Sequence, residues 1–339
     1  MINPTIKDVA KLAGVSIATV SLVIHNHKRI PQETKDKVMA AIKELNYHPS
    51  HSARGLVSRK TGNIGFVLTD DHFLRTEPFY TRIFLGSEFE ARENEYYLLL
   101  TTVDSKPNKS KPLPRFILER NVDGVIVAGK VPDTFIEKLD TVDVPILFVD
   151  YLPKRKSYPS VLIDNFNGGV MATNHLIEFG HKRIAFIGGD INHPSINDRL
   201  KGYKKALKKA GLAVDDKIII DDEDYPAREN GYNAAEKLFK QNKNITAIFA
   251  CNDAMAIGVM QYLRKQHIRI PEDISIIGFD DVEADVSITP PLSTIKVLKT
   301  EMGAEAMKLM AKILKENKTP TDEKLVPVEL VIRKSTKRI

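Results

Sequence analysis

Along the first sixty residues, apolar positions repeat at helical spacing, and beyond them the pattern changes to short apolar runs between amphipathic stretches. Ile6, Val9, Ala10 and Ala13 fall at i, i+3, i+4 and i+7, which is one face of a helix. Gly14 follows, able to take positive φ at a helix end, and Ser16 stands where an N-cap belongs. In the helix that Ser16 would open, Val20 and Val23 point one way and Ile17, Ala18, Ser21 and Leu22 the other. An apolar inner face with short residues outside suits a helix that enters a major groove. The bland alternative is an αα-hairpin within a larger core. A third helix is expected over 31–45, with Val38, Ala41, Ile42 and Leu45 on one stripe, and Pro49 is a stop signal after it.

From Asn63 onward strands and helices alternate. Strands are expected over 64–69, 96–102, 122–128 and 144–149, with helices over 78–93, 112–120 and 132–139 between them. A second set starts near Ile163: helices over 165–179, 199–210, 228–241 and 254–266, strands over 183–187, 217–220, 246–250 and 274–278. A last helix over 299–315 and a strand over 327–332 complete the chain. Continuous apolar strands between amphipathic helices mean parallel sheets covered on both faces. Two doubly wound halves of similar size imply a cleft beyond the carboxyl ends of the strands, where a ligand binds.

Charge sharpens the division. Lysine and arginine outnumber aspartate and glutamate by six, and residues 1–61 alone carry ten cations against four acids. The rest of the chain therefore balances to zero. A net cationic charge confined to three amphipathic helices is what duplex binding requires. The single cysteine, Cys251, excludes an intramolecular disulfide and suggests a reducing compartment. No signal-peptide pattern opens the chain, and no apolar run approaches the ~18 residues of a spanning helix. A soluble, cytoplasmic protein without membrane contact is expected.

The residues IKDVA at 6–10, AGVS at 13–16, TVS at 19–21 and LNY at 45–47, with Pro49, Ala53, Arg54 and Leu56, resemble the head and hinge of the lac-repressor (LacI/GalR) family of bacterial transcription regulators. The resemblance implies a fold of two parts: a small all-α helix-turn-helix head over 1–49, and an α/β core over 62–339 of two doubly wound parallel-sheet subdomains, similar to periplasmic binding proteins. A hinge over 50–61 would join them. It places Ile17, Ala18, Ser21 and Leu22 at base-reading positions, and Thr5, Lys7, Ser16, Thr19 and Asn26 at phosphates. Ala53, Arg54 and Leu56 would belong to a hinge helix that forms on DNA, with Leu56 wedged into the minor groove. Two departures stand out. Most members carry arginine where this chain has Leu22, so the guanine edge loses its bidentate donor and the operator sequence should differ. The usual asparagine before the hinge is Ser50. Whether Leu22 reads a base or packs on the third helix stays open at this point.

In that family the core chain crosses between its halves three times. The crossings are expected near 163–164, 292–293 and 325–326, giving one subdomain of 62–163 plus 293–325 and another of 164–292 plus 326–339. The resemblance further implies a homodimer on a pseudo-palindromic operator, with 67–92 and 299–315 as its faces and no tetramerising tail. It implies a small-molecule effector, preferably a sugar or sugar phosphate, with a nucleoside or a protein corepressor as alternatives. Effector contacts carried over are Phe79, Tyr80, Asp150, Arg199, Tyr225, Asn252 and Asp280. Competing duties are plain for several: Asn252 or Asp253 as a helix cap, Asp280 and Asp281 as a solvated pair, Phe79 as core. His193 and Ser195 lie on a loop too variable to align.

No catalytic constellation accompanies these residues. G-x-S-x-G, Walker A and G-x-G-x-x-G patterns are all missing, and Gly188-Gly189 is too little to count. His25, His27, His48 and His51 fall in the head and hinge, where surface or DNA contact is favoured over a metal. No enzyme activity, cofactor or metal is expected, and a solute-binding protein is the remote alternative.

Overall fold

The structure is a computed structural model that describes residues 4–24, 27, 29–47, 60–73, 78–154, 157–241, 244–318 and 323–339. The chain divides into two compact units, Met1–Gly62 and Asn63–Ile339.

In the first unit α1 (Ile6–Ala13), α2 (Ile17–Ile24) and α3 (Gln32–Glu44) close one small core. Val9, Val20 and Val38 are wholly buried at its centre, and Tyr47 seals it from beyond α3. Asp8 ties the start of α1, accepting from the Thr5 backbone N–H at 2.8 Å and the Thr5 hydroxyl at 2.7 Å. Those bonds hold its carboxyl below the usual aspartate range. Gly14 has φ +65°, a conformation that only a residue without Cβ takes cheaply, and it lets α2 turn away from α1.

The second unit holds two six-stranded sheets. Strands β1 (Asn63–Thr69), β2 (Tyr97–Val103), β3 (Gly124–Ala128), β4 (Ile146–Val149) and β5 (Ser160–Ile163) lie in the order β2-β1-β3-β4-β5. The second half repeats this with β6 (Ile184–Ile187), β7 (Ile219–Ile220), β8 (Ala247–Ala250), β9 (Ser275–Asp280) and β10 (Ser293–Val297), ordered β7-β6-β8-β9-β10. Two tail strands exchange places: β11 (Glu323–Val326) adds beside β5, and β12 (Val328–Val331) beside β10. All neighbours are parallel except β10 and β12. β3, β4, β6 and β8 are buried along their whole length, as helix-covered parallel strands must be.

The crossings depart from expectation at one place. Ser293–Val297 pairs with β9 on one side and β12 on the other, so it belongs to the second subdomain, and the second crossing falls at Leu298 instead of 292–293. The first crossing follows β5 and the third follows Val326, and the Asp164 N–H donates to the Val326 carbonyl at 3.1 Å where they meet. Prolines at 112 and 114 shorten the expected helix over 112–120 to Arg115–Leu118. β1 lies between β2 and β3, and Val67–Thr69 are almost wholly covered there, so that part of the proposed dimer face is core. Among the described residues no helix is long and apolar enough to cross a membrane.

Candidate functional site

The outer face of α2 is the first candidate. Val20 and Val23 turn into the head core, while Ile17 and Leu22 remain 45% and 40% exposed. Leu22 therefore does not earn its place by packing on α3. Ser16 caps α2 as its sequence position suggests: its Oγ accepts from the Thr19 N–H at 3.1 Å and pairs with the Thr19 hydroxyl at 2.9 Å. Lys7 and Ala18 are exposed, and Ser21 is half-buried. The hydroxyl of Thr5 is already spent on Asp8. Asn26, Ala53, Arg54 and Leu56 lie outside the described residues.

The second candidate is a cavity of about 470 Å³ beyond the carboxyl ends of both sheets. Its lining follows from the topology, since the strand order reverses direction beside β1 and again beside β6, which opens a crevice at each switch point. Thr69 follows from β1, Lys130 from β3, Asp150 and Tyr151 from β4; Asp190, Tyr225, Asn252 and Asp280 follow from β6, β7, β8 and β9. All seven residues expected on effector grounds line it: Phe79, Tyr80, Asp150, Arg199, Tyr225, Asn252 and Asp280. Asp150 and Asp280 hold φ of +60° and +118°, strain that non-glycine residues accept at few places other than binding sites. The Tyr80 hydroxyl donates to Asp150 at 2.8 Å and its ring stacks on His72 at 4.4 Å.

Arg199 does more structural work than a free clamp would. It is 6% exposed; its Nε donates to Asn165 Oδ1 at 2.8 Å and its Nη1 to the Cys251 carbonyl at 2.6 Å. The guanidinium lies over Phe279 at 3.6 Å, with Nη2 3.6 Å from Asp280 Oδ1. Nη2 is thus the edge left facing the cavity. Asn252 is the cap of the following helix, Asp253–Lys265: its Oδ1 accepts from the Met255 N–H at 2.8 Å and its Nδ2 donates to the Pro226 carbonyl at 2.9 Å. Phe79 is both core and wall, buried yet lining the cavity. Burial pushes the Cys251 thiol up to about 12, which leaves it no nucleophilic role.

Asp253 is not the cap. It is fully buried beneath the cavity floor, accepting from the Thr294 hydroxyl at 2.6 Å and the Val282 N–H at 3.2 Å, beside an equally buried Asp285. Desolvation raises Asp253 well above the ordinary carboxyl range and carries Asp285 to about 6, so the two share a proton above the pH at which free aspartates ionise. The folded state thus keeps a proton that the unfolded chain releases above ~4. Stability from this pair is full below that pH and declines as pH rises toward the folded values. Asp253→Asn keeps the shape and donates without titrating. Its urea midpoint should fall less than the wild type's between pH 5 and 8; parallel slopes would contradict a shared proton.

Sequence reasoning missed His72, Thr69, Lys130 and Tyr151 in the lining, and left His193 and Ser195 unaligned although both line it. His72 rides on a single-turn helix, Asp70–Phe73, that reads as loop. Thr69 ends β1, and Lys130 and Tyr151 come two residues after β3 and β4, so strand-end position was the one available signal.

Known proteins resemble both units of the chain. Residues 5–50 match the model for bacterial regulatory proteins of the lacI family, and residues 173–336 match a periplasmic binding protein-like domain. The "HTH-type transcriptional repressor PurR" of Haemophilus influenzae (strain PittEE) is 36% identical over 345 residues, 99% of each chain. Its namesake in Histophilus somni (strain 129Pt) is 35% identical over 337 residues, again 99% of both. Among solved structures, a lac repressor dimer bound to operator and the anti-inducer ONPF superposes with TM-score 0.81 at 26% identity, over 99% of this chain and 100% of that one. A complex of the transcriptional regulator CelR with cellobiose superposes with TM-score 0.74 at 30% identity, covering 98% and 99%. An exposed capped helix on a cationic head, two doubly wound halves around a polar cleft, and relatives of this extent place the chain in the lacI family of DNA-binding transcriptional repressors, which are not enzymes.

Proposed function

We propose that α2 reads the operator through Ile17, Ala18, Ser21 and Leu22, and that an uncharged, hydroxyl-rich effector, a sugar, occupies the cavity and sets operator affinity. The observation that carries the effector class is the charge of the lining. Among the described lining residues, Asp71, Asp133, Asp150, Asp190, Asp224 and Asp280 outnumber the cations Lys130 and Arg199. Carboxylates accept from sugar hydroxyls, the Nη2 edge of Arg199 beside Asp280 donates, and Phe79, Tyr80 and Tyr225 supply ring faces. A phosphate would meet net negative charge, which disfavours the sugar phosphates otherwise suited to an arginine site. The cellobiose complex of CelR supports a neutral sugar.

A nucleobase is the second reading. The relatives named PurR favour it, being 35–36% identical over nearly the whole chain, and the stacked His72 and Tyr80 would suit a flat ring. Thermal shift of the full chain separates the two. Cellobiose and other neutral sugars are expected to raise the melting temperature, by the equivalent of about 2.7 kcal/mol at a hundredfold excess over Kd, and glucose 6-phosphate to leave it unmoved. Stabilisation by the phosphate but not by its parent sugar would overturn the charge argument, and response to hypoxanthine alone selects the nucleobase.

Family members act as dimers. On the face of edge strand β2 that carries the helix Phe79–Glu93, Leu100 is 38% exposed, and that helix offers Phe89, 54% exposed. This apolar patch is the dimer face we assign in place of β1. An effector held by both halves changes their relative preference only through differential affinity, typically 1–3 kcal/mol of coupling to the operator.

A further inference from the structure

The segment between β2 and the helix Arg115–Leu118 is a wall of the cavity, to which it contributes Ser105 and Pro107. Among the described residues it joins no β-ladder, and Pro107 and Pro112 withhold backbone donors, so its carbonyls draw hydrogen bonds from elsewhere. One ammonium supplies it. Lys138 Nζ donates to the carbonyls of Lys109 at 2.7 Å, Lys111 at 2.5 Å and Asn108 at 3.4 Å. The segment is closed on itself as well. Lys111 Nζ pairs with Asp104 at 2.6 Å, and Asn108 Oδ1 accepts from the Ser110 and Lys111 N–H groups at 3.1 and 3.3 Å.

Charge argues against chance. The segment carries Lys106, Lys109 and Lys111 against Asp104, which Lys111 already pairs, so a fourth cation is held there by carbonyl dipoles and not by an excess of negative charge. Lys138 also sits near the end of the helix Asp133–Leu139, whose first residue, Asp133, lines the cavity. A single side chain therefore links two stretches of cavity wall without touching the cavity itself. We propose that Lys138 is a positioning residue: it pins the 104–111 segment in place before the effector arrives, so that binding does not have to order that wall. The consequence for ligand affinity rests on the cavity being the effector site.

The test uses the full chain as wild type, Lys138→Met and Lys138→Arg. Lys138→Met keeps the aliphatic stem and the fold but offers no donor. In ligand-free hydrogen exchange, the Ser110 and Lys111 amides are expected to exchange at least tenfold faster in Lys138→Met, with β6, β8 and β9 unchanged and Lys138→Arg restoring part of the protection. With cellobiose as probe, Kd should rise at least fivefold in Lys138→Met and recover in Lys138→Arg. Unchanged protection of the two amides overturns the clamp. Lost protection with unchanged cellobiose affinity overturns its role at the cavity. A wild type that ignores cellobiose while Lys138→Met loses protection counts against the sugar and supports the clamp.

Discussion

Arg199→Ala is expected to abolish the effector response and to lower stability by about 3–5 kcal/mol, the range for removing one partner of a buried charged network. The size follows from how fully the guanidinium is used. Asn165 and the Cys251 carbonyl lose their donors in the interior, Phe279 loses the plane stacked on it, and Asp280 keeps a carboxylate whose nearest cation is gone. Arg199→Lys should rescue little, because a single ammonium cannot serve Asn165, Cys251 and the cavity together. Operator binding by the ligand-free protein should survive wherever the variant is folded, since the head has its own core. Urea titration, followed by thermal shift with whichever compound stabilises the wild type, checks both parts. A ligand-induced shift as large as the wild type's would show that Arg199 is only structural.

Arg199 also shows what sequence could and could not reveal. Its place in the lining was legible from the stretch NDRLKGY, because resemblance transmits positions. Its internal partners were not, since Asn165 and Cys251 lie 34 and 52 residues away and only the fold brings them near. The head was legible almost residue by residue, as its helices are amphipathic, capped and local. In the core, long apolar strands such as β1 announced themselves, whereas β5, β10 and β11 did not. β10 reads STIKV and β11 EKLV, short and part polar, and each becomes a strand only because a neighbour offers an edge. Missing β10 displaced the second crossing by several residues. Lys138 was invisible for a similar reason: three loop carbonyls converging on one ammonium leave no periodic trace.

Gly303→Ala should be the most damaging of the small substitutions, lowering stability by about 3 kcal/mol and loosening the cavity with it. The helices Phe79–Glu93 and Lys299–Glu316 touch backbone to backbone: a Cβ at Gly303 would stand 1.9 Å from the Ile83 carbonyl oxygen and 2.7 Å from the Ser87 nitrogen. Gly86 mirrors it, 1.9 Å from the Thr300 carbonyl oxygen. Backbone cannot swing aside as a side chain can, so the helices must separate, and the buried Ser87 hydroxyl then loses its bond to the Gly303 carbonyl at 2.9 Å. Function follows from what these helices carry. One opens with Phe79 and Tyr80 in the cavity wall, and the other opens at the second crossing with Lys299, whose ammonium donates to the Asp280 and Asp281 carbonyls. Separation therefore shifts the aromatic wall relative to Asp280. Because both glycines relieve the same contact, Gly86→Ala with Gly303→Ala should cost less than the sum of the two single variants. Urea midpoints of the three proteins decide it: additive losses, or a Gly303→Ala protein within about 1 kcal/mol of wild type, would mean that the helices have room to spare.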